Sequence, residues 1–135
     1  MSKTHNRRLG LCGVALTEGR MPRFTIEVAT QVRDELEKLL IDSGYFQDAP
    51  FEWVTVCLRY GVKNETEPRY QPINKRYHDL PLSIEVDSNV LRSSNREEMA
   101  RTFERAVLRA LIHAAIKYDL PAAALEASLA LLLEE

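Results

Sequence analysis

The residues of this chain best suited to covalent chemistry are Cys57, His78 and His113. A cysteine beside a histidine can act as a nucleophile when the imidazole lies within hydrogen-bond reach and favours the thiolate. Cys57 sits inside the β-rich run "EWVTVCLRY", where a small buried side chain is the commoner role for a thiol. His113 falls at the border of an apolar helical face and reads as a half-buried structural imidazole. The remaining histidine, His5, stands in a ragged N-terminal stretch. Glu85-x-Asp87 has the look of an acidic pair for a divalent cation, but such sites need a further acid and usually a lysine to polarise phosphate. Strand alternation turns both carboxylates outward, as on a solvated face. No HExxH, CxxC, GxGxxG, P-loop or GxSxG pattern occurs, and five glycines leave little material for a phosphate cradle. The residues therefore point to a protein without catalysis, metal or cofactor.

A different chemistry, that of recognition, is concentrated between Arg59 and Asp79. The dipeptide Arg-Tyr occurs there three times, as Arg59-Tyr60, Arg69-Tyr70 and Arg76-Tyr77. Arginine beside tyrosine can hold nucleic acid by phosphate pairing and base stacking, or anchor a protein interface. The stretch carries five bases (Arg59, Lys63, Arg69, Lys75, Arg76) against three acids (Glu65, Glu67, Asp79). Glu65 and Glu67 would repel a phosphate backbone from within the grip, so nucleic acid is the weaker reading. A protein partner is the stronger one, with Trp53, Arg59, Tyr60, Arg69, Tyr70, Arg76, Tyr77 and Asp79 as candidate contacts. Pro68 and Pro72 would limit the freedom of the segment before binding. A plainer reading has the tyrosines packing onto the domain as anchors, with the arginines paired to nearby acids.

These residues need a scaffold. "RFTIEV" (Arg23–Val28) alternates like a half-buried strand, and Thr30 could cap a helix running through "QVRDELEKLLIDS", with Gly44 as its stop. "GYFQDAPF" reads as a loop. Glu52–Tyr60 is a strand with two occupied faces, Val54, Val56, Leu58 and Tyr60 on one and Trp53, Thr55, Cys57 and Arg59 on the other, so it should be central. "LPLSIEVD" turns Leu82, Ile84 and Val86 inward. Ser94-x-x-Glu97 has capping-box spacing before a long helix through Tyr118, whose stripe is Met99, Phe103, Ala106, Val107, Ala110, Leu111 and Ala114. Pro121 opens a last helix, and its apolar run Leu129–Leu133 either completes the core or meets a second copy in a homodimer. The expectation is an α+β fold in the order β-α-β-β-α-α. Its small three-stranded mixed sheet has helices mainly on one face, a parallel crossover between the first two strands and the third strand antiparallel.

A chain of 135 residues is the size of one domain and can bury a core without disulfides. Residues 1–20 hold four bases and one acid, and look like a poorly patterned leader with Met21 as an alternative start. The single α+β domain is then 21–135, with fourteen bases against nineteen acids, a net of −5. A body this acidic suits a basic protein partner better than nucleic acid. The apolar run Leu9–Leu16 lacks a clean cleavage site, and no run reaches membrane-spanning length. Cys12 and Cys57 lie far apart in sequence and read as thiols of a reducing cytoplasm. Asn64-Glu65-Thr66 spells a glycosylation sequon, which has no bearing in that compartment.

Three stretches, "RFTIEVATQVRDELEKLLIDSGYFQDAPFEWVTVCLRYG", "INKRYHDLPLSIEVD" and "ALIHAAIKYDLP", resemble the immunity protein 39 family of bacterial polymorphic-toxin systems, over Arg23 to Pro121. The resemblance implies an acidic, non-catalytic, cytoplasmic antidote that binds and neutralises a cognate toxin. It carries no contact residues across. The alternative is a small homo-oligomeric or nucleic-acid-associated regulator.

Overall fold

The computed structural model describes residues 9–12, 23–51, 53–59, 69–72, 81–87 and 95–134. In chain order the elements are β1 (Leu9–Cys12), α1 (Arg23–Asp42), β2 (Trp53–Arg59), β3 (Arg69–Pro72), β4 (Pro81–Asp87), α2 (Arg96–Tyr118) and α3 (Ala123–Leu133). The class is α+β. The sheet has four strands rather than three, in the order β1-β2-β4-β3, and it is mixed. β1 and β4 both run parallel to β2, whereas β3 runs antiparallel to β4. The strand expected to join antiparallel, β4, is thus parallel, and the antiparallel strand comes from the stretch read as a long excursion.

The first strand is also displaced. Arg23–Val28 is the opening of α1, not a strand, and Thr30 lies inside the helix. Six residues of alternation are a weak signal, because Phe24 and Val28 are also four apart. That spacing continues through Val32, Leu36 and Leu40, all at most 2% exposed. The strand preceding α1 is Leu9–Cys12, within the stretch read as a leader, and Leu9 is 1% exposed. α1 therefore connects two adjacent parallel strands, as parallel pairing requires of a crossover.

Both long helices end by backbone devices. After α1, Gly44 has φ +76°, Tyr45 N–H donates to the Leu40 carbonyl at 3.1 Å, and Gly44 N–H donates to Ile41 at 3.2 Å. This is a Schellman motif, and its apolar contact is made by Tyr45 and Leu40, both fully buried. Helix α2 starts one residue later than the Ser94 capping box would have it. Asn95 is the N-cap, accepting from Glu97 N–H at 2.9 Å and Glu98 N–H at 3.1 Å. At the other end Asp119 is left-handed (φ 59°), and Leu120 N–H returns to the Ala115 carbonyl at 2.8 Å.

The core lies between one face of the sheet and the helices. Leu9, Val54, Val56, Leu82, Ile84 and Val86 from the strands meet the stripes of α1 and α2. The expected stripe of α2 is buried throughout, joined by Leu108 and Ala115. The segment after Gly44 is more than a loop: Tyr45, Phe46 and Phe51 are buried together, with Tyr118 edge-on to Phe51 at 5.6 Å. Helix α3 buries only Leu125 fully, and Leu131 and Leu133 remain exposed.

Candidate functional site

Strand β2 is central, and its two faces differ. Val54 and Val56 face the core, while Trp53, Thr55 and Cys57 alternate with them and are half-buried, as is Glu85 on β4. The described helices pack on the Val54 side, so none of them covers this second face.

The candidate contacts divide across the sheet. Trp53 opens β2 with Pro81 as its register partner, and Arg59 closes it opposite Asp87. They stand at opposite ends of a seven-residue strand, roughly 20 Å apart at about 3.3 Å per residue. Arg69 and Tyr70 open β3, an edge strand separated from β2 by β4. Arg69 is in register with Glu85, and Glu85 with Cys57. Tyr70 occupies the row of Ile84 and Val56, two core residues. Tyr60, Arg76, Tyr77 and Asp79 lie outside the described residues. The sheet therefore brings Arg69 into a row with β2's helix-free face and sets Tyr70 in a core row, a distinction that sequence repetition of Arg-Tyr conceals.

Among the described residues, the catalytic candidates Cys57 and His113 do not converge. His113 is exposed on α2 rather than half-buried, on the helical side of the sheet, whereas Cys57 belongs to the face that alternates with the core. His78 lies outside the described residues. Glu85 is half-buried instead of fully outward, and among the described residues no group of three or more His, Cys, Asp or Glu side chains could hold a metal ion.

One acid is electrostatically unsettled. Glu104 of α2 lines a shallow open groove with Glu97, Ala100, Arg101 and Leu132 of α3. Burial pushes its pKa up, and the neighbouring Glu35 of α1 pushes it further in the same direction. A folded-state pKa above the unfolded one means that Glu104 favours folding when protonated, a contribution lost as pH rises through the folded value. At neutral pH the carboxylate is a cost. Glu104→Gln should therefore raise the melting temperature slightly at pH 7, with the gain vanishing below the ordinary carboxylate pKa. An equal gain at both pH values would show that the effect is not charge.

The family model for immunity protein 39 matches residues 3–130. The chain belongs to the immunity protein 39 family. This match extends beyond Arg23–Pro121 at both ends and takes in β1 and most of α3. No curated protein and no solved structure matches the chain. In this immunity protein 39 chain no described helix is long and apolar enough to cross a membrane. What the family brings is a class of partner, a toxin; the surface that meets it is argued from the residues.

Proposed function

We propose that this protein is an antidote that binds a cognate polymorphic toxin in the cytoplasm of the producing bacterium and blocks it without catalysis. Membership of the immunity protein 39 family is the observation that carries the reading. Its residues support it in two ways. The chain's net charge is −2, and its acids are concentrated from Met21 onward (net −5), a distribution that would favour encounter with a basic toxin. Of the candidate contacts, Trp53, Arg59, Tyr60, Arg69, Arg76 and Tyr77 would supply large contact areas with polar tips and Asp79 a charge, the chemistry that slows dissociation, while Tyr70 stands in a core row. Within that set, Arg59 and Arg69 are the residues to test first, since each stands at a strand end or an edge. A homodimer through α3 is a second arrangement, favoured by Leu131 at 64% and Leu133 at 55% exposure.

The decisive experiment is co-expression with the toxin of the neighbouring gene. Growth should be restored by this protein and lost again with Arg59→Ala/Arg69→Ala, whose complex should dissociate at least about tenfold faster, as for a lost interface anchor. The melting temperature of the free double variant should stay near that of the parent. Equal growth with and without the protein would sink the antidote reading. The mass of the purified complex reports whether one copy or two engage the toxin.

A further inference from the structure

Both cysteines of the chain meet at a single register position. Strand β1 runs parallel to β2, and Cys12 is the register partner of Cys57. Neighbouring strands lie roughly 4.7–4.9 Å apart, inside the Cα separations of about 4.4–6.8 Å that disulfides span. Residues opposite one another on adjacent strands belong to the same face of the pleat, here the face of Trp53, Thr55 and Cys57 rather than the one covered by α1 and α2. Cys57 is half-buried rather than part of the dry core. Their distance in sequence hides this pairing, because the whole of α1 intervenes.

We propose that Cys12 and Cys57 form a reversible oxidation site, an intramolecular disulfide that fastens edge strand β1 to central strand β2. The oxidant is a small-molecule disulfide such as glutathione disulfide. One cysteine thiolate attacks it, forming a mixed disulfide and releasing one glutathione thiolate. The thiolate of the second cysteine then displaces the other glutathione. Two protein thiols have lost two protons and two electrons, and one glutathione disulfide has become two thiols. The bond closes a long loop containing α1 and so restricts the unfolded chain. It also holds a four-residue edge strand against fraying.

The test uses the purified full-length chain incubated with glutathione disulfide. The monomer should lose the mass of two hydrogen atoms, resist thiol alkylation and yield a digest fragment joining Cys12 to Cys57. Its melting temperature should rise by about 5–15 °C, and dithiothreitol should reverse every change. Cys12→Ser and Cys57→Ser should each remove the rise and leave a glutathione adduct on the remaining thiol. Glutathione on both cysteines of the parent chain, or bonds only between chains, would overturn the proposal. So would a joined pair with an unchanged or lower melting temperature, since the bond would then oppose the strand pairing. None of these readouts depends on a toxin, so this inference and the antidote reading stand or fall separately.

Discussion

Tyr45→Ala should cost about 3–5 kcal/mol of stability in a denaturant titration, and Tyr45→Phe about 1 kcal/mol. The difference follows from what the side chain does. Its ring is fully buried, edge-on to Phe46 at 5.7 Å and tilted against Phe51 at 6.4 Å. It also supplies the apolar contact that closes the end of α1 over Leu40. Truncation to alanine removes all of that and leaves a cavity that the packed surroundings can fill only in part. The hydroxyl donates to the Leu111 carbonyl of α2 at 2.9 Å, tying the end of one helix to the middle of the other. Leu111 lies inside α2, where its carbonyl also has the helical ladder, so phenylalanine orphans no acceptor and loses one hydrogen bond. Against a total stability of order 5–15 kcal/mol the alanine variant should be largely unfolded at modest denaturant. Equal costs for the two variants would show that the hydroxyl, not the ring, is what matters.

This pair of substitutions also shows what sequence reasoning could reach. Gly44 announces the end of α1 because a left-handed residue is needed there, and glycine fills that need at least cost. The three aromatics that follow have no periodicity, so nothing in "GYFQDAPF" distinguishes a buried turn from a surface loop. Their burial depends on α2, far along the chain. β2 and β4 were legible because Val54, Val56, Leu82, Ile84 and Val86 alternate without interruption and one face is dry. Arg23–Val28 was misread because the first turns of an amphipathic helix and a short strand share apolar positions four apart. Of the interface, the residue types were legible and the rows were not. Arg69 and Tyr70 are neighbours in sequence, yet one aligns with Glu85 and the other with the buried Ile84. Only strand register separates them, and register depends on partners the sequence does not name.

The same limit sets the second large effect. A chain begun at Met21 should lose about 3–6 kcal/mol relative to the full chain, from the apolar area and ladder hydrogen bonds it gives up. Glycines at positions 10 and 13 break the pattern of the N-terminal run and make it look unstructured. In the structure, Leu9 through Cys12 pair with Val54 through Cys57, and Leu9 is as buried as Val56. Space does not require glycine at position 10: a Cβ there would stand 3.8 Å from Thr55 Cγ2, an ordinary contact. Removing the strand would expose one side of α1 and turn β2 from a central strand into an unprotected edge with free backbone donors and acceptors. Leu9→Ala isolates the side-chain share and should cost about 2–4 kcal/mol. The truncated chain should fall further, with a greater tendency to aggregate through the bared edge. A Met21 chain with the same unfolding midpoint as the full protein would mean that β1 contributes nothing to the domain. The thiol pairing of Cys12 with Cys57 would then have no scaffold, because the strand that sets its register would not be held.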